Sequence, residues 1–350
     1  MTFQCTLEPS GKSFPVEPNE TILEAALRAN IVLPYGCKDG ACGSCKASIT
    51  TGSVDYGDYQ KKALSDAEKS HGQLLLCKSR ALEDLYITAR VVAADGMLPA
   101  RKLPCRVASI HKAAPDVAIV KLQLPATENF QFLAGQYIDI LLKDGKRRSY
   151  SMANPPHENQ QVELHIRHTP GGAFTDALFG TGTPSINAVK EKDILRFEGP
   201  QGTFFLREDS SRPIVFLASG TGFAPIKAVI EHAHHKGIQR PMTLYWGGRR
   251  PADLYALDLI ERWETTNSQF KFIPVVSDAL PEDHWSGRTG FVHQAVMQDF
   301  PDLSQHSVYA CGAPIVVQSA QRDFVSNCAL PQEEFFADAF TTAADLAKKT

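Results

Sequence analysis

Residues 37–47 read CKDGACGSCKA, and residues 73–77 read QLLLC. The two segments contain four cysteines, which are Cys37, Cys42, Cys45 and Cys77. The first three form C-x4-C-x2-C, the spacing of plant-type [2Fe-2S] ligands, and the fourth closes the coordination from a distant segment. Glycines suit a loop whose backbone turns sharply close to sulfide, and this loop has Gly36, Gly40 and Gly43. The spacing therefore predicts a plant-type iron–sulfur cluster.

A zinc site is the alternative use of the same four thiolates. Zinc sites with four cysteines usually show two C-x2-C pairs, whereas this chain has one. Four unrelated core cysteines would leave the spacing unexplained, so the iron–sulfur interpretation is favoured. Three more cysteines stand alone and are predicted to be small buried hydrophobic residues: Cys5, Cys105 and Cys328.

The composition is typical of ordinary folded domains. At 350 residues, 43% of them hydrophobic, the chain is long enough for two or three domains. A formal net charge of -3 gives no basic field for phosphate backbones, so we expect no nucleic-acid partner. We find no signal sequence, and no apolar run of roughly 18 residues, so we expect a soluble, cytoplasmic protein with no membrane partner. Eight cysteines in such a chain indicate ligands or reactive thiols in preference to disulfides.

The first part of the chain is predicted to be a small α+β unit. Strands are expected at 2–7, 46–51 and 85–91. Thr21 and Glu24 have the spacing of a capping box, and the helix that they begin is expected to end around Asn30. Residues 93–104 read AADGMLPARKLP, which is typical of a linker.

Two different patterns follow this predicted linker. Short strand-like runs separated by turn residues predict an antiparallel barrel, with strands at 105–110, 118–124, 136–142, 162–167 and 194–197. After Pro213, buried strands alternate with helices, and strands are expected at 214–218, 242–246, 270–276 and 307–310. This alternation is typical of a parallel sheet that is covered by helices on both faces.

The barrel part contains an R-x-Y-S segment, residues 148–151, and a small-residue turn, GGAFT, at 171–175. An arginine can bind pyrophosphate bidentately, a tyrosine can stack on a flat ring, and a serine can hydrogen-bond a ring nitrogen. Backbone N–H groups of the turn can bind phosphate. In isolation, Arg148 would be interpreted as a surface ion pair and Tyr150 as barrel core. The neighbouring motifs favour a flavin nucleotide site instead.

A phosphate-binding turn follows the first strand of the third part. The strand ends at Ala218, residues 219–225 read SGTGFAP, and a helix is predicted over 226–235. Pro225 replaces the third glycine of G-x-G-x-x-G, but proline suits the first turn of a helix. The strand–loop–helix context predicts a dinucleotide site.

A second strand-to-helix junction reads YACGAP at 309–314 and places Cys311 at the carboxyl edge of the predicted sheet, where ligands bind. An ordinary buried cysteine is the alternative for Cys311. His232, His234 and His235 lie on one predicted helix, and we expect a solvated face there, because no matching carboxylate or cysteine spacing indicates a metal.

Together these motifs resemble a known family, the three-module iron–sulfur flavoprotein reductases related to ferredoxin–NADP reductase, which serve bacterial oxygenases and deoxysugar biosynthesis. The resemblance covers the whole chain and is carried by CKDGACGSCKA, LAGQYIDI, RRSYSMAN, EGPQGTFF, VFLASGTGFAPIK, FVHQAV and FFADAF. It implies a multidomain α+β and α/β protein. We expect a β-grasp [2Fe-2S] ferredoxin domain over 1–93, a six-stranded antiparallel FAD-binding barrel over 101–208, and a parallel-sheet α/β domain that binds NAD(P) over 209–350.

The resemblance also implies roles for individual residues. Those at the flavin ring and its phosphates are Arg148, Tyr150, Ser151, Gly172, Phe174 and Thr175. Those that hold the dinucleotide are Gly220, Thr221, Gly222, Pro225 and Gly312. Three residues are implied at the reacting atoms: Ser151 near flavin N5, Cys311 near the nicotinamide, and Phe340 against the flavin. For Phe340 an ordinary core position is the alternative.

The implied activity is electron transfer from NADH through FAD to the cluster. A hydride carries two electrons and the cluster accepts one, so a flavin is needed to separate them, and no general acid–base pair is required. Arg249 and Arg250 follow the predicted strand 242–246, where a basic residue could bind a 2′-phosphate. The resemblance nonetheless favours NADH, so NADPH is the less favoured cofactor and is not excluded.

Three fates of the electrons remain open. One is delivery to a pyridoxamine-phosphate-dependent CDP-hexulose dehydrase, and another is delivery to a non-haem aromatic or phenol oxygenase component. In the third, the cluster only senses redox state. The hydride-handling motifs argue against a sensor, and whole-chain similarity favours the dehydrase.

Overall fold

Nineteen β-strands and seven α-helices run through the residues that the computed structural model describes, which are 2–92, 96–181 and 188–341. The chain divides into two units, one formed by Met1–Met97 with Ala339–Thr350 and the other by Leu98–Asp338. Within the described ranges, the helices are too short or too polar to cross a membrane.

The first unit is built on a mixed β-sheet. Its strands are β1 (Phe3–Glu8), β2 (Ser13–Val16), β3 (Lys46–Thr51), β4 (Val54–Asp55), β5 (Gln73–Leu75), β6 (Arg80–Ala81) and β7 (Leu85–Thr88). Five strands form one sheet in the order β2-β1-β7-β3-β5, in which β1 and β7 are parallel and the other pairs antiparallel. β4 and β6 form a separate two-stranded ladder. This is the predicted β-grasp sheet, although its last strand ends at Thr88 and not at residue 91.

Two short helices complete the first unit, α1 (Ile22–Arg28) and α2 (Asp66–Ser70). The predicted capping box of α1 is confirmed, because Thr21 and Glu24 exchange side-chain and backbone hydrogen bonds. The helix ends at Arg28 and not around Asn30, where a φ of 57° is incompatible with an α-helix. Helix and sheet share one hydrophobic core, which includes Cys5, Leu7, Phe14, Ile22, Leu23, Leu33, Leu74 and Ile87.

The second unit begins with a six-stranded antiparallel sheet. Its strands are β8 (Arg101–Ala114), β9 (Val117–Gln123), β10 (Tyr137–Leu141), β11 (Arg147–Ser151), β12 (Gln161–Arg167) and β13 (Ile194–Gln201). Their order is β11-β10-β13-β8-β9-β12, and a bridge between Met152 and Leu164 joins the two edge strands. The sheet thus closes on itself around a core that contains Phe130, Ile138, Ile140, Leu164 and Phe197. Helix α3 (Ala173–Phe179) follows β12.

The linker prediction for residues 93–104 is wrong at its end. β8 starts at Arg101, and Leu103 is buried in the barrel. Pro104 faces Arg196 of β13, whereas β9 joins β8 only from Arg106 onward, so the proline occupies a stretch with a single neighbouring strand. Proline is tolerated there because its missing N–H faces no partner. Residues 93–95 lie outside the described residues.

The remainder of the second unit is an α/β fold. Its strands are β14 (Ile214–Ser219), β15 (Met242–Gly248), β16 (Phe270–Val276), β17 (Arg288–Thr289), β18 (Ser307–Gly312) and β19 (Phe335–Ala339). Its helices are α4 (Phe223–His235), α5 (Leu257–Thr266), α6 (Val292–Asp299) and α7 (Pro314–Asn327). The strand order is β17-β16-β15-β14-β18-β19, and β14 runs parallel to both of its neighbours. The order reverses at β14 and β18, which is where open α/β sheets bind ligands.

Candidate functional site

The four cysteines of the motif lie in two pairs of side chains in the first unit. The thiols of Cys37 and Cys42 are hydrogen-bonded to each other, and the Sγ atoms of Cys45 and Cys77 lie 3.2 Å apart. None of the four forms a disulfide. Across the described ranges, no three His, Cys, Asp or Glu side chains gather as ligands of a single metal ion. Two separate pairs suit a binuclear cluster with two thiolates per iron better than one tetrahedral zinc ion.

The surroundings of the cysteines also fit a cluster. The hydrogen bond from Cys37, followed by others from Ser44 and the backbone, lowers the pKa of Cys42 to about 7. The same hydrogen bond raises the pKa of Cys37, and a hydrogen bond with Cys77 raises the pKa of Cys45, so of these three thiols only Cys42 is shifted towards the thiolate, the form that binds iron. Gly40 has a φ of +72°, and a Cβ there would lie 2.7 Å from the Lys78 side chain. The loop therefore favours glycine at this position, and the two pairs of thiols fit a [2Fe-2S] group.

The flavin motif lies at the end of β11. The ring of Tyr150 lies 5.7 Å from that of Phe174, so the structure brings the two segments predicted for the flavin together. Burial raises the pKa of Tyr150, so the phenol stays neutral and can pack against a flat ring. Ser151 is buried and its hydroxyl donates to Asp338 at 3.3 Å. The Arg148 guanidinium donates to the Arg147 carbonyl at 2.8 Å.

The turn before α3 is held by its own side chains. The Thr175 hydroxyl donates to the Thr169 carbonyl at 2.9 Å and accepts from the Thr169 N–H at 3.2 Å. A Cβ at Gly172 would lie 2.5 Å from that hydroxyl oxygen, so only glycine fits. The Thr175 side chain therefore shapes the turn, and its hydroxyl is already bonded within it.

The turn predicted to bind the dinucleotide, residues 219–225, joins β14 to α4, and we call it the dinucleotide turn. A Cβ at Gly222 would lie 2.2 Å from the Cys311 carbonyl oxygen, and one at Gly312 would lie 2.3 Å from the Ser219 hydroxyl oxygen. The two strand-to-helix junctions therefore touch through their backbones. Helix α4 begins at Phe223, so the predicted start at residue 226 is three residues late. Pro225 still falls in the first turn, where a missing N–H leaves no helical bond unmade.

Cys311 lies at the carboxyl end of β18, beside Ala218 of β14. Its side chain is buried. Burial, with a smaller contribution from the negative charge of Asp338, holds the pKa of the Cys311 thiol well above its usual range. The thiol is therefore neutral, and it can pack against a ligand but is not a ready nucleophile.

Several residues at this edge were not singled out from the sequence. Trp246, at the end of β15, donates its indole N–H to the Gly220 carbonyl at 2.9 Å and stacks on Phe223 with ring centroids 4.1 Å apart. Asp253 accepts the backbone N–H groups of Arg249 and Arg250, and its other carboxylate oxygen binds Arg167 at 2.7 Å. The sequence does contain a signal for Trp246, because a tryptophan at the end of a predicted strand can pack on a neighbouring glycine turn. No local sequence pattern indicates the contact between Asp338 and Ser151.

The histidines of α4 were predicted to form a solvated face, and Phe340 was predicted to contact the flavin. The histidine face is not simply solvated, because His232 pairs with Glu208 at 2.7 Å and His234 is hydrogen-bonded to Asn267 at 2.9 Å. His235 alone of the three is exposed, and its ring stacks on His157. Phe340 is half-buried directly after β19, and its contact with a flavin stays a prediction. The lone cysteines Cys5, Cys105 and Cys328 are buried, as predicted.

Three successive parts of the chain match known domain families. Residues 5–82 match a 2Fe-2S iron-sulfur cluster binding domain, residues 104–206 an oxidoreductase FAD-binding domain, and residues 216–322 an oxidoreductase NAD-binding domain. These three matches agree with the paired cysteines, with the flavin motif at the end of β11 and with the glycine turn after β14, and together they define a class of enzyme. The chain is an NAD(P)H-dependent flavoprotein reductase with a [2Fe-2S] centre.

Whole-chain relatives place it more closely. It is 42% identical over 340 residues to the CDP-6-deoxy-L-threo-D-glycero-4-hexulose-3-dehydrase reductase of Yersinia pseudotuberculosis, which covers 97% of this chain and 99% of that protein. It is 37% identical to terephthalate 1,2-dioxygenase reductase component 1 of Comamonas, over 98% of each chain. The crystal structure of the Amycolatopsis cytochrome P450 reductase GcoB is similar at a TM-score of 0.74 and 32% identity, over 98% of this chain and 100% of that one. The chain belongs to the iron–sulfur flavoprotein reductases related to ferredoxin–NADP reductase.

Proposed function

We propose that this reductase takes electrons from NADH and delivers them singly, through FAD and the cluster, to a pyridoxamine-phosphate-dependent CDP-hexulose dehydrase. The observation that carries the proposal is the 42% identity to a dehydrase reductase, which extends over 97% of this chain. In this reaction the dehydrase would remove the C-3 hydroxyl of the sugar, and the reductase would supply the electrons.

The proposed order of redox groups follows the order of the modules. We assign the cluster to a ferredoxin domain over 1–93, FAD to a barrel over 101–208, and the nicotinamide to residues 209–350. The cluster ligands are Cys37, Cys42, Cys45 and Cys77. FAD, when bound, would accept two electrons together and release them one at a time. The protein side chains then have to bind the two rings, orient them and keep water out.

The flavin and dinucleotide residues keep their predicted roles in this proposal. Tyr150 and Phe174 offer aromatic surface to the flavin, and Ser151 a buried hydroxyl. Gly220, Thr221, Gly222 and Pro225 would hold the dinucleotide, with Cys311 beside the nicotinamide and Phe340 covering the flavin. The close approach of Gly222 to the Cys311 carbonyl supports this assignment, because a larger residue would close the space between the two junctions.

Preference for NADH rests on the charges that follow β15. Arg250 is engaged with the Asp283 carboxylate at 3.2 Å and with the Asp278 carbonyl at 3.2 Å, which supports a preference for NADH because a 2′-phosphate would have to compete for its guanidinium. Asp253 adds a carboxylate bonded to the backbone of this segment. Arg249 is exposed and remains the residue that an added phosphate would meet.

An oxygenase component is the second candidate for the electron acceptor. It is favoured by the 37% identity to a terephthalate dioxygenase reductase component, again over nearly the whole chain. The cofactor motifs serve both partners equally, because partner choice depends on the surface around the cluster loop.

One experiment separates the candidates. The reductase is mixed anaerobically with NADH, a pyridoxamine-phosphate dehydrase and CDP-6-deoxy-hexulose, and the sugar product is identified by mass spectrometry. We expect a 3-deoxygenated sugar without any oxygen consumption. Absence of sugar reduction, with a cluster that NADH still reduces, would contradict the dehydrase assignment. Oxygen uptake with a hydroxylated aromatic product in a parallel assay would favour the oxygenase.

A further inference from the structure

A buried cation connects the helix of the dinucleotide turn to the strand of the flavin motif. Lys227 lies in the second turn of α4, and its side chain is only 11% exposed. Its ammonium group has three acceptors, the Ala153 carbonyl at 3.1 Å, Glu163 at 3.2 Å and Glu231 at 2.8 Å. We call these four residues the Lys227 cluster. Because an ammonium group has three N–H donors, the acceptors satisfy it completely.

Burying such a group adds little net stability. The cost of removing an ion pair from water is roughly what the mutual attraction returns, and a well-packed apolar residue often stabilises a protein as well. What a satisfied buried ion pair can supply is a defined geometry, because each partner must stay within hydrogen-bond distance. The position of the cluster therefore matters more than its contribution to folding.

The cluster lies between the two candidate ligand sites. Ala153 follows Ser151 by two residues, and its N–H donates to the Glu163 carbonyl at 2.7 Å. Asn154 accepts the Glu163 N–H at 2.8 Å, so β12 holds this segment from the other side. Lys227 lies five residues beyond Gly222, which is about 7.5 Å along the helix axis. A short rigid path thus joins the dinucleotide turn to the residues after the flavin motif.

We propose that the Lys227 cluster sets the separation and orientation of the dinucleotide turn relative to β11, the strand that carries the flavin motif. Lys227 is then a positioning residue for hydride transfer. The inference rests on the proposed binding of both rings at these two sites. Hydride transfer moves one hydrogen with its two bonding electrons from nicotinamide C4 to flavin N5, which oxidises the nicotinamide and reduces the flavin. Its rate depends steeply on the distance between those atoms, and a displacement of about 1 Å can cost about 100-fold.

The remaining contacts indicate that the fold survives loss of the cation. Without Lys227, Glu163 keeps His165 at 3.1 Å and Lys121 at 3.6 Å. His165 in turn is hydrogen-bonded to the Tyr255 hydroxyl at 2.9 Å. Glu231 is the partner nearer to solvent, with a side chain 20% exposed. In a Lys227→Met variant Glu163 therefore keeps other partners, whereas Glu231 loses its ammonium partner and has only its partly exposed position to solvate the carboxylate.

The test uses the flavin- and cluster-loaded protein in anaerobic stopped-flow experiments. In Lys227→Met, we expect flavin reduction at saturating NADH to slow about 10- to 100-fold. We also expect a weaker long-wavelength charge-transfer band between nicotinamide and flavin, and faster hydrogen exchange over residues 151–163. Electron transfer from photoreduced flavin to the [2Fe-2S] cluster should be unchanged, because this step does not use the dinucleotide turn. Lys121→Met is the matched control, since it removes the half-exposed cation of the same Glu163.

Two further variants keep the outcome decisive. Lys227→Arg retains a cation and should restore part of the rate lost in Lys227→Met. If Lys227→Met fails to retain FAD, Glu163→Gln becomes the test of the proposal. This substitution keeps the shape of the Glu163 side chain but removes its negative charge, so it weakens the Lys227 cluster. We expect slower hydride transfer and a weaker charge-transfer band in this variant. Wild-type values in the variant that decides, or equal slowing of the photoreduced step, would overturn the inference. Failure of the wild-type flavin to accept electrons from NADH or NADPH would instead contradict the proposed function.

Discussion

Replacing Gly222 with alanine should separate the two strand-to-helix junctions that we propose as the dinucleotide site. Gly222 has a φ of -58°, which any residue can adopt, so the added methyl group is the only perturbation. An ideal Cβ there lies 2.2 Å from the Cys311 carbonyl oxygen and 2.7 Å from Gly312 Cα, and both neighbours are backbone atoms that cannot rotate away. The turn and β18 must therefore move apart by about 1 Å to recover an ordinary contact.

Two magnitudes follow from that displacement. At an unobstructed helical position, Gly→Ala would stabilise the protein by about 0.4–1 kcal/mol, whereas overpacking of this kind costs about 1–3 kcal/mol. We therefore expect a net loss of stability. A dinucleotide held about 1 Å from its proper position should lose about 100-fold in the rate constant of flavin reduction.

The assay is anaerobic stopped-flow reduction of the bound flavin over a range of NADH concentrations, together with thermal unfolding. Gly237→Ala is the control, because it places a Cβ at an exposed position with no atoms within 4 Å, although the φ of +67° strains it. That variant should lose stability through strain but reduce its flavin at the wild-type rate. Wild-type flavin reduction and NADH affinity in folded Gly222→Ala would refute the placement of the dinucleotide at this turn.

Four further outcomes can be measured with the same holoprotein. Cys77→Ser should lose cytochrome c reduction through the cluster but keep most ferricyanide reduction, which can draw on flavin directly; equal loss of both would contradict that division. Steady-state kcat/KM should be higher with NADH than with NADPH, and Arg249→Ala should widen the difference, whereas a clear NADPH preference would mean that the arginine binds the 2′-phosphate. Trp246→Phe keeps the stack on Phe223 but leaves the Gly220 carbonyl without its indole donor, so unfolding free energy should fall by about 1–3 kcal/mol and the KM for NADH should rise; an unchanged KM would place Trp246 outside the site. Removal of residues 340–350 should alter NADPH discrimination or the hydride-transfer rate, and an unchanged profile in a folded, flavin-loaded protein would assign Phe340 to the core.

Local patterns predicted most of the fold. The capping box at Thr21 and Glu24, the apolar strand of residues 214–218 and the C-x4-C-x2-C loop each have a physical cause within a few residues. The errors arose where the cause is distant. Pro104 reads as a linker residue in isolation, and it is tolerated in β8 because β9 joins that strand only from Arg106. β11 reads RRSYS, which has too many charged and polar residues to predict a strand, and it is held by pairing with β10.

The same distinction applies to the candidate site. Motif residues with fixed local spacing, such as Gly220 with its φ of +55°, could be found from the sequence because the turn itself favours glycine there. Asp338 and Lys227 could not, because each acts through partners on another strand. The Ser151–Asp338 bond joins residues 187 positions apart, a distance that no local pattern spans.

We propose that electrons pass from the nicotinamide to the flavin and then to the [2Fe-2S] cluster, and time-resolved anaerobic reduction can follow this order. The protein is mixed with NADH, flavin reduction is followed by absorbance, and samples are frozen at intervals for electron paramagnetic resonance of the reduced cluster. We expect flavin bleaching first, followed by the signal of a reduced [2Fe-2S] cluster, and in Cys77→Ser bleaching without that signal. A cluster that becomes reduced while the flavin is absent, or a flavin that neither NADH nor NADPH reduces, would contradict this order of electron transfer.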